Sequence, residues 1–371
     1  MTVYLRCGGI AAMALAMLAG CRPAELPRFT PSAQVAALTD DLGEDEIATY
    51  RELQEQIAEV LSARCGQAHQ PKLLGHPDAD PDRLRRGFDV FTRFCVQCHG
   101  VNGDGQGVLA AHLKPKPRDY TQGIFKFIST SNGKARKADL VRTIRRGVPG
   151  TSMPSFATLS SSDLHDVADY VLALTHRGEL QRTLAQIAYD DGELPDDAAV
   201  DEIVEEILAP WREANGSVVM PLTPMPPMTA ESIETGHQLF LKLACSRCHG
   251  NDGRGGSLGN VEVGTDVWGH KAAAADLTSG MFHGGGRRID IYRRIYAGIA
   301  GSPMPAFSGE FASNPDDIWR LVHFIKETGQ RRRRNELPAT APASPAAPGA
   351  AAEASQAAQH APDRAPEEAG G

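Results

Sequence analysis

Within these 371 residues no apolar run reaches the roughly 18 needed to cross a bilayer, which argues against a membrane-spanning helix. Basic residues are also in short supply. There are 38 Lys and Arg against 46 Asp and Glu, a net charge of −8, whereas a dedicated nucleic-acid binder carries a basic surplus. Aromatics make up 6% of the chain, while 37 Gly and 25 Pro assign much of its length to loops and linkers. Seven cysteines are too few for a scaffold stapled by disulfides. No alternating strand pattern or hairpin signal stands out, so the expected class is all-α.

The net charge conceals a partition. Residues 21–81 carry 5 basic and 11 acidic side chains, and residues 82–178 carry 15 and 8. Residues 179–230 carry 2 and 11, residues 231–330 carry 10 and 11, and residues 331–371 carry 5 and 5. A basic block is thus flanked by two acidic ones and followed by a near-neutral block. The first residues have a different character: Arg6 precedes a short apolar stretch from Ile10 to Leu18, the layout of a secretory signal peptide. Leu18-Ala19-Gly20-Cys21 resembles a bacterial lipoprotein cleavage box, which implies removal of residues 1–20 and lipidation of Cys21. An ordinary signal peptide with an incidental cysteine is the other reading. Several acyl chains on one residue would hold the protein on a membrane, and the expected compartment is periplasmic or otherwise extracytoplasmic.

An internal repeat with a period near 150 residues organises the rest. Phe91 through Gly100, FTRFCVQCHG, corresponds to Phe240 through Gly250, FLKLACSRCHG. Arg118–Phe125 corresponds to Ala275–Phe282, and Gly150-Thr-Ser-Met153-Pro154-Ser-Phe156 answers Gly301-Ser-Pro-Met304-Pro305-Ala-Phe307. Each unit reads as helix, Gly-rich loop, short helix, Met-Pro loop and terminal helix. The first helices are expected over about 82–97 and 230–246, with the last beginning at Asp163 and Asp316, both good N-cap types. Short helices in a unit of about 100 residues bury little apolar surface by themselves. A large apolar prosthetic group would supply the missing core.

CxxCH is the attachment signature of c-type haem. Two thiols spaced across one helical turn reach one porphyrin as thioethers, and the adjacent imidazole faces the iron. Zinc would need further Cys or His at ligand spacing, and a thioredoxin-like dithiol would need a βαβ context. Neither is visible, and the motif occurs twice in matching surroundings. For the opposite iron face, Met153 is the only Met between His99 and residue 178, and Met304 shares its Gly-x-x-Met-Pro-x-Phe setting. They follow their histidines by 54 and 55 residues. A lone Met is ordinarily core packing; the paired context favours ligation. His112, His165, His176, His270, His283 and His323 compete for that role, but none pairs between the units.

Both units, residues 82–178 and 231–330, resemble class I cytochrome c domains, so the chain resembles tandem dihaem c-type cytochromes. The resemblance implies two covalently bound haem c groups. Cys95 and Cys98 would hold the first, with His99 and Met153 axial; Cys245 and Cys248 would hold the second, with His249 and Met304 axial. It also implies that Gly87 and Gly236 allow close helix contact, with Phe91 and Phe240 packing near Tyr170 and Phe324. A Pro carbonyl usually orients the proximal histidine in this family. Pro115 or Pro117 could do so in the first unit, whereas the second has Ala274 and Ala275 there.

Amphipathic acidic helices are expected over 44–64 and 196–212, one before each unit, so that the repeat would include them. Pro221, Pro224, Pro226 and Pro227 suggest a stiff connector within 179–230. Cys65 is left unpaired, and Arg331–Arg334 open an Ala/Pro/Gly-rich tail, 331–371, expected to be disordered. His/Met ligation fills the sixth site and raises the potential, which points to an electron carrier rather than an enzyme. Its partners would be redox proteins of a respiratory chain and, through the lipid, a membrane, with no nucleic acid. A dihaem peroxidase would need an open distal face, and a dedicated subunit of a dehydrogenase or oxidase complex is a third reading.

Overall fold

The computed structural model describes residues 27–40, 42–255 and 262–337. The expected signal peptide, Cys21 and the tail beyond residue 337 lie outside the described residues. Those described are mainly helical, as expected, and fall into three cores. Two short antiparallel hairpins, β1 (Gly66–Gln67) with β2 (Gln70–Pro71) and β3 (Glu262–Thr265) with β4 (Lys271–Ala273), are the additions that the sequence patterning misses. Strands this short show no period-two alternation.

The first unit begins with α3 (Pro81–Phe94), where Asp80 accepts from the backbone N–H groups of Asp82 and Arg83 and Pro81 opens the first turn. This helix stops at Cys95, one turn short of the expected 97, and the CxxCH segment forms its own turn, α4 (Val96–His99). After the glycine-rich loop and α5 (Lys137–Arg146) comes α6 (Ser161–Asp191). Helix α6 starts two residues before Asp163, because the Ser160 hydroxyl accepts from the Asp163 N–H. It then continues past residue 178 until Gly192, in the left-handed conformation at φ 74°, ends it. The second unit repeats the plan with α8 (Ala230–Lys242), α9 (Ser246–His249), α10 (Arg288–Ala297) and α11 (Asp317–Arg333). Arg331–Arg333 belong to the last turn of α11 rather than to a disordered tail. Cationic side chains favour a helix C-terminus, and Arg332 and Arg334 are tied to Asp276 and Glu327.

In both units the first and last helices cross with their backbones in contact. A Cβ on Gly87 would fall 2.2 Å from the Asp166 carbonyl oxygen, and one on Gly236 would fall 2.0 Å from that of Arg320. The neighbouring rings meet as the resemblance implies: Phe91 and Tyr170 are 5.2 Å apart and Phe240 and Phe324 5.1 Å. The clamps around the crossings differ. In the first unit buried Asp166 accepts from Arg83 and Arg86 at 3.1 and 2.8 Å, while Asp169 takes Arg83 and Lys137. Part of the basic surplus of that unit is thus neutralised internally. The second unit has His323 in the place of Asp169, fully buried, its Nδ1 3.0 Å from the Ser232 hydroxyl.

The acidic helices α2 (Glu44–Cys65) and α7 (Asp197–Glu213) do not serve one unit each. Both pack on the C-terminal half of α6, where Ile57, Leu61, Leu180, Leu184, Val200 and Leu208 share a third core. The 31 residues of α6 give room for two partners at once, and the apolar stripes of α2 and α7 find their cover there. Cys65 lies in this core as a buried free thiol, pushed up to about 12 by burial.

The connector after α7 is anchored to both units. Val219 N–H donates to Ser129 O at 2.8 Å, Leu222 N–H to the Tyr292 hydroxyl at 2.9 Å, and the Trp319 indole N–H to Thr223 O at 2.9 Å. The units also touch directly. Arg294 donates to the carbonyls of Lys126 and Ile128, and Arg146 to that of His283. The Lys126 ammonium lies 2.9 Å from the Asp266 carboxylate.

Because the α3–α6 crossing leaves no room for a Cβ, Gly87→Ala is expected to lower unfolding stability by about 1–3 kcal/mol, the usual cost of overpacking. Denaturant unfolding of the full chain checks this, and an unchanged midpoint would contradict the close crossing.

Candidate functional site

The CxxCH turns present their side chains from the ends of α3 and α8. Among the described residues, Cys95, Cys98, Cys245 and Cys248 form no disulfides. Among the described residues no group of three or more His, Cys, Asp or Glu is placed to hold a metal ion, as a zinc site would require. Burial pushes the Cys95 thiol up to about 12 and that of Cys245 to about 11, and it raises Cys248 as well. Cys95, Cys245 and Cys248 are thus shifted away from the low-pKa thiolate of a reactive cysteine.

His99 and His249 are held alike. His99 Nδ1 lies 3.1 Å from Arg118 O, and His249 Nδ1 lies 3.0 Å from Ala275 O. A carbonyl oxygen only accepts, so Nδ1 carries the proton and Nε2 keeps its lone pair. Burial pushes the His99 imidazole down to about 4, against a smaller opposing effect of the carbonyl bond, and it lowers His249 too. Both rings are therefore neutral near pH 7 and preset as nitrogen donors, the arrangement in which a second partner fixes a ligand's tautomer. The orienting carbonyl is not that of Pro115 or Pro117. It belongs to Arg118, and Ala275 is its repeat counterpart, so the alanines of the second unit cost nothing: the bond uses backbone, which any residue supplies.

Around His99 the Tyr120 ring stacks at 4.7 Å and Phe125 follows at 5.7 Å. The second unit has Leu277 in place of Tyr120, buried with Phe240 and Tyr292 in its core. Gly107 seats the loop on the first CxxCH turn, where a Cβ would fall 2.3 Å from Gln97 O. Phe94 and Leu109, which flank the Cys95–Cys98 turn, are 40% and 47% exposed. Paired thiols, a preset imidazole and an apolar rim suit a flat, apolar macrocycle carrying a metal.

The methionines stand in matching loops. Val148 N–H donates to Met153 O at 3.1 Å and Met153 N–H to the Thr151 hydroxyl at 3.1 Å. Ile299 N–H donates to Met304 O at 3.2 Å and Met304 N–H to the Ser302 hydroxyl at 3.3 Å. Both are half-buried, whereas Met220, Met225 and Met281 are exposed. The ring of Phe156 lies 6.2 Å from that of Phe94, setting the first loop against the residue before Cys95. Phe307 and Cys245 pack against one core in the second unit.

Of the competing histidines, His112, His165 and His270 are exposed, and His323 is turned to Ser232. His176 is buried against Trp211 at 4.9 Å. His283 of the second unit, with Met281, packs on Gly150 of the first unit's methionine loop. That contact, and the role of Arg118, are functional details that sequence reasoning missed: the first arises from packing between segments over 100 residues apart, and the second uses a backbone carbonyl that no residue type marks.

Comparison with known proteins places these features. The family model for cytochrome c matches residues 84–175 and 233–329, one segment for each repeat. A cytochrome c6 from Cyanidium caldarium is 30% identical over 95 residues, which cover 26% of this chain and 74% of that protein. Among solved structures, a chain of the Kuenenia stuttgartiensis reducing HAO-like protein complex is similar at a TM-score of 0.50 and 28% identity. The match covers 66% of this chain and 95% of that one.

Gly147 tests how the methionine loop is held. It has φ 67°, and a Cβ there would fall 2.4 Å from Pro154 O, whereas Gly133, at φ 80°, has nothing within 4 Å. Gly133→Ala should cost only the left-handed backbone penalty of about 1–2 kcal/mol. Gly147→Ala should cost clearly more in the same thermal unfolding assay, and equal losses would contradict a tightly packed loop.

Proposed function

Because the chain belongs to the cytochrome c family through both of its matched segments, we propose that it is a dihaem electron carrier working between extracytoplasmic redox partners. Cytochrome c domains bind haem c covalently, and electron transfer is the work of such a protein. The proposal adds the count, the ligands and the place. Cys95 and Cys98 would hold one haem and Cys245 and Cys248 the other, with His99 and Met153, and His249 and Met304, as the residues that would ligate the iron. The observation that carries it is the repeated geometry: two CxxCH turns, each with its imidazole tied by Nδ1 to an equivalent carbonyl, and each with an equivalently hydrogen-bonded methionine loop.

When bound, haem c supplies a one-electron couple between ferric and ferrous iron. The chain's residues set the conditions for it. The paired cysteines would fix the macrocycle, the Nδ1–carbonyl bonds hold each imidazole in one orientation, and the methionine loops would supply the sulfur ligands. Soft sulfur opposite nitrogen raises the potential. Rigid ligation on both faces suits outer-sphere transfer, in which no bond is made or broken. Surface charge steers the partners: the first unit is rich in basic side chains, and long-range attraction to an acidic partner would speed association.

Lipidation at Cys21 would tether the carrier to a membrane facing the extracytoplasmic space. A second reading makes the chain a dedicated subunit of a redox complex rather than a free carrier. It draws on the similarity to a chain of the reducing HAO-like complex, which extends over 95% of that chain. Co-purification of a tight enzyme partner with the lipid-anchored protein would favour it.

Peptide mass spectrometry of the purified full chain tests the core of the proposal. One haem is expected on the peptide with Cys95 and Cys98 and one on the peptide with Cys245 and Cys248. Replacing Cys95 and Cys98 by Ser should remove only the first. A wild-type chain with a single haem would contradict the dihaem reading.

A further inference from the structure

The contact between the units is concentrated beside the candidate sites. The turn joining β3 to β4 belongs to the second unit and carries Trp268. The Arg118 guanidinium carbon lies 3.5 Å from the centre of a Trp268 ring. Arg118 belongs to the first unit, and its own carbonyl is the acceptor for His99 Nδ1. Trp268 also packs on Gly301, where a Cβ would fall 2.6 Å from the indole Cη2. Gly301 opens the loop that ends in Met304, and its carbonyl accepts from Val267 N–H at 3.1 Å.

The turn is held in place across the unit boundary. Buried Asp266 accepts from the backbone N–H groups of Trp268 and His270 and, at 2.9 Å, from Lys126 of the first unit. Lys126 also stands 5.2 Å from the centre of the Trp268 ring. The indole N–H is buried with no hydrogen-bond partner among the described residues. The Arg118 guanidinium and the Lys126 ammonium both lie against the indole as cation–π partners.

We infer that Trp268 is the bridge for electron exchange between the two centres. It would link the His99–Arg118 side of the first to the Met304 loop of the second. The inference rests on the dihaem reading above. One electron leaves the reduced centre and arrives at the oxidised one; no bond forms or breaks, and no proton moves. Gly301 is part of the same device, because any side chain there would push the ring off the methionine loop.

The test uses the full-length holoprotein with Trp268→Phe and Trp268→Leu, after photochemical injection of a single electron. The optical relaxation between the centres gives the exchange rate. Equilibrium redox titration and the radius of gyration from X-ray scattering are recorded alongside. Phe, which keeps an aromatic ring there, should leave the rate near wild type. Leu should slow it several-fold with both potentials and the radius unchanged. Exchange as fast in Trp268→Leu as in wild type would overturn the bridge. So would a slowing that comes with an expanded radius, since the ring would then only dock the units. Haem counting on the unsubstituted sample separates the two claims. Fewer than two haems per chain contradicts the dihaem reading, and the bridge with it, whereas two haems with an unaffected rate contradicts the bridge alone.

Discussion

The close crossing of first and last helices at a glycine is the constraint on which each unit depends. Backbone meets backbone at Gly87 and Asp166, and again at Gly236 and Arg320. With those helices fixed, the CxxCH turn at the end of the first helix has a defined place beside the terminal helix. The loops between them then close around that turn. The rings of Phe91 and Tyr170, and of Phe240 and Phe324, fill the space next to the crossing. A side chain at either glycine would part the helices and move every group that the turn presents. The loop whose carbonyl receives the imidazole bond packs farther along the same terminal helix, with Thr121 against Gly178 in the first unit and Thr278 against Gly329 in the second.

From that common frame the two units diverge in what surrounds the turn. Ion pairs among Arg83, Arg86, Asp166, Asp169 and Lys137 reinforce the first crossing, while the second relies on neutral contacts around His323 and Ser232. Tyr120 stacks on His99 in the first unit with Phe125 stacked on Tyr120, whereas Leu277 stands at the matching position of the second unit, where His249 is less buried. Burial and hydrogen bonding around an axial ligand are levers on a metal's potential. On the proposed dihaem reading, unequal surroundings on equal ligand sets would give the two centres different potentials. The acidic helices add a third core on an extension of α6, so their charge lies beside the first unit and not between the two.

Much of this was legible in the residues. The all-α class, the two units and the residues of each turn follow from motifs that carry their own chemistry, and the glycine–aromatic crossing followed from the family resemblance. Other parts were hidden for physical reasons. The carbonyls of Arg118 and Ala275 act through the backbone, so no residue type marks them. Ser160 caps α6 by a hydroxyl that reaches forward three residues, which put the helix start earlier than Asp163 suggested. The acidic helices looked like parts of a repeat because each precedes a unit in sequence, yet both pack on α6, and α2 does so through contacts over 100 residues apart. Periodicity shows which face of a helix is apolar, not which surface covers it. The bridging position of Trp268 was invisible for the same reason.

The central claim is that two equivalent sites bind haem with histidine on one face and methionine on the other. Near-infrared magnetic circular dichroism of the fully oxidised protein addresses it most directly, because sulfur bound to low-spin ferric iron gives its own long-wavelength band. This account predicts that band with an intensity corresponding to both irons in each chain. A high-spin signal, or a band accounting for only one of the two irons, would contradict it.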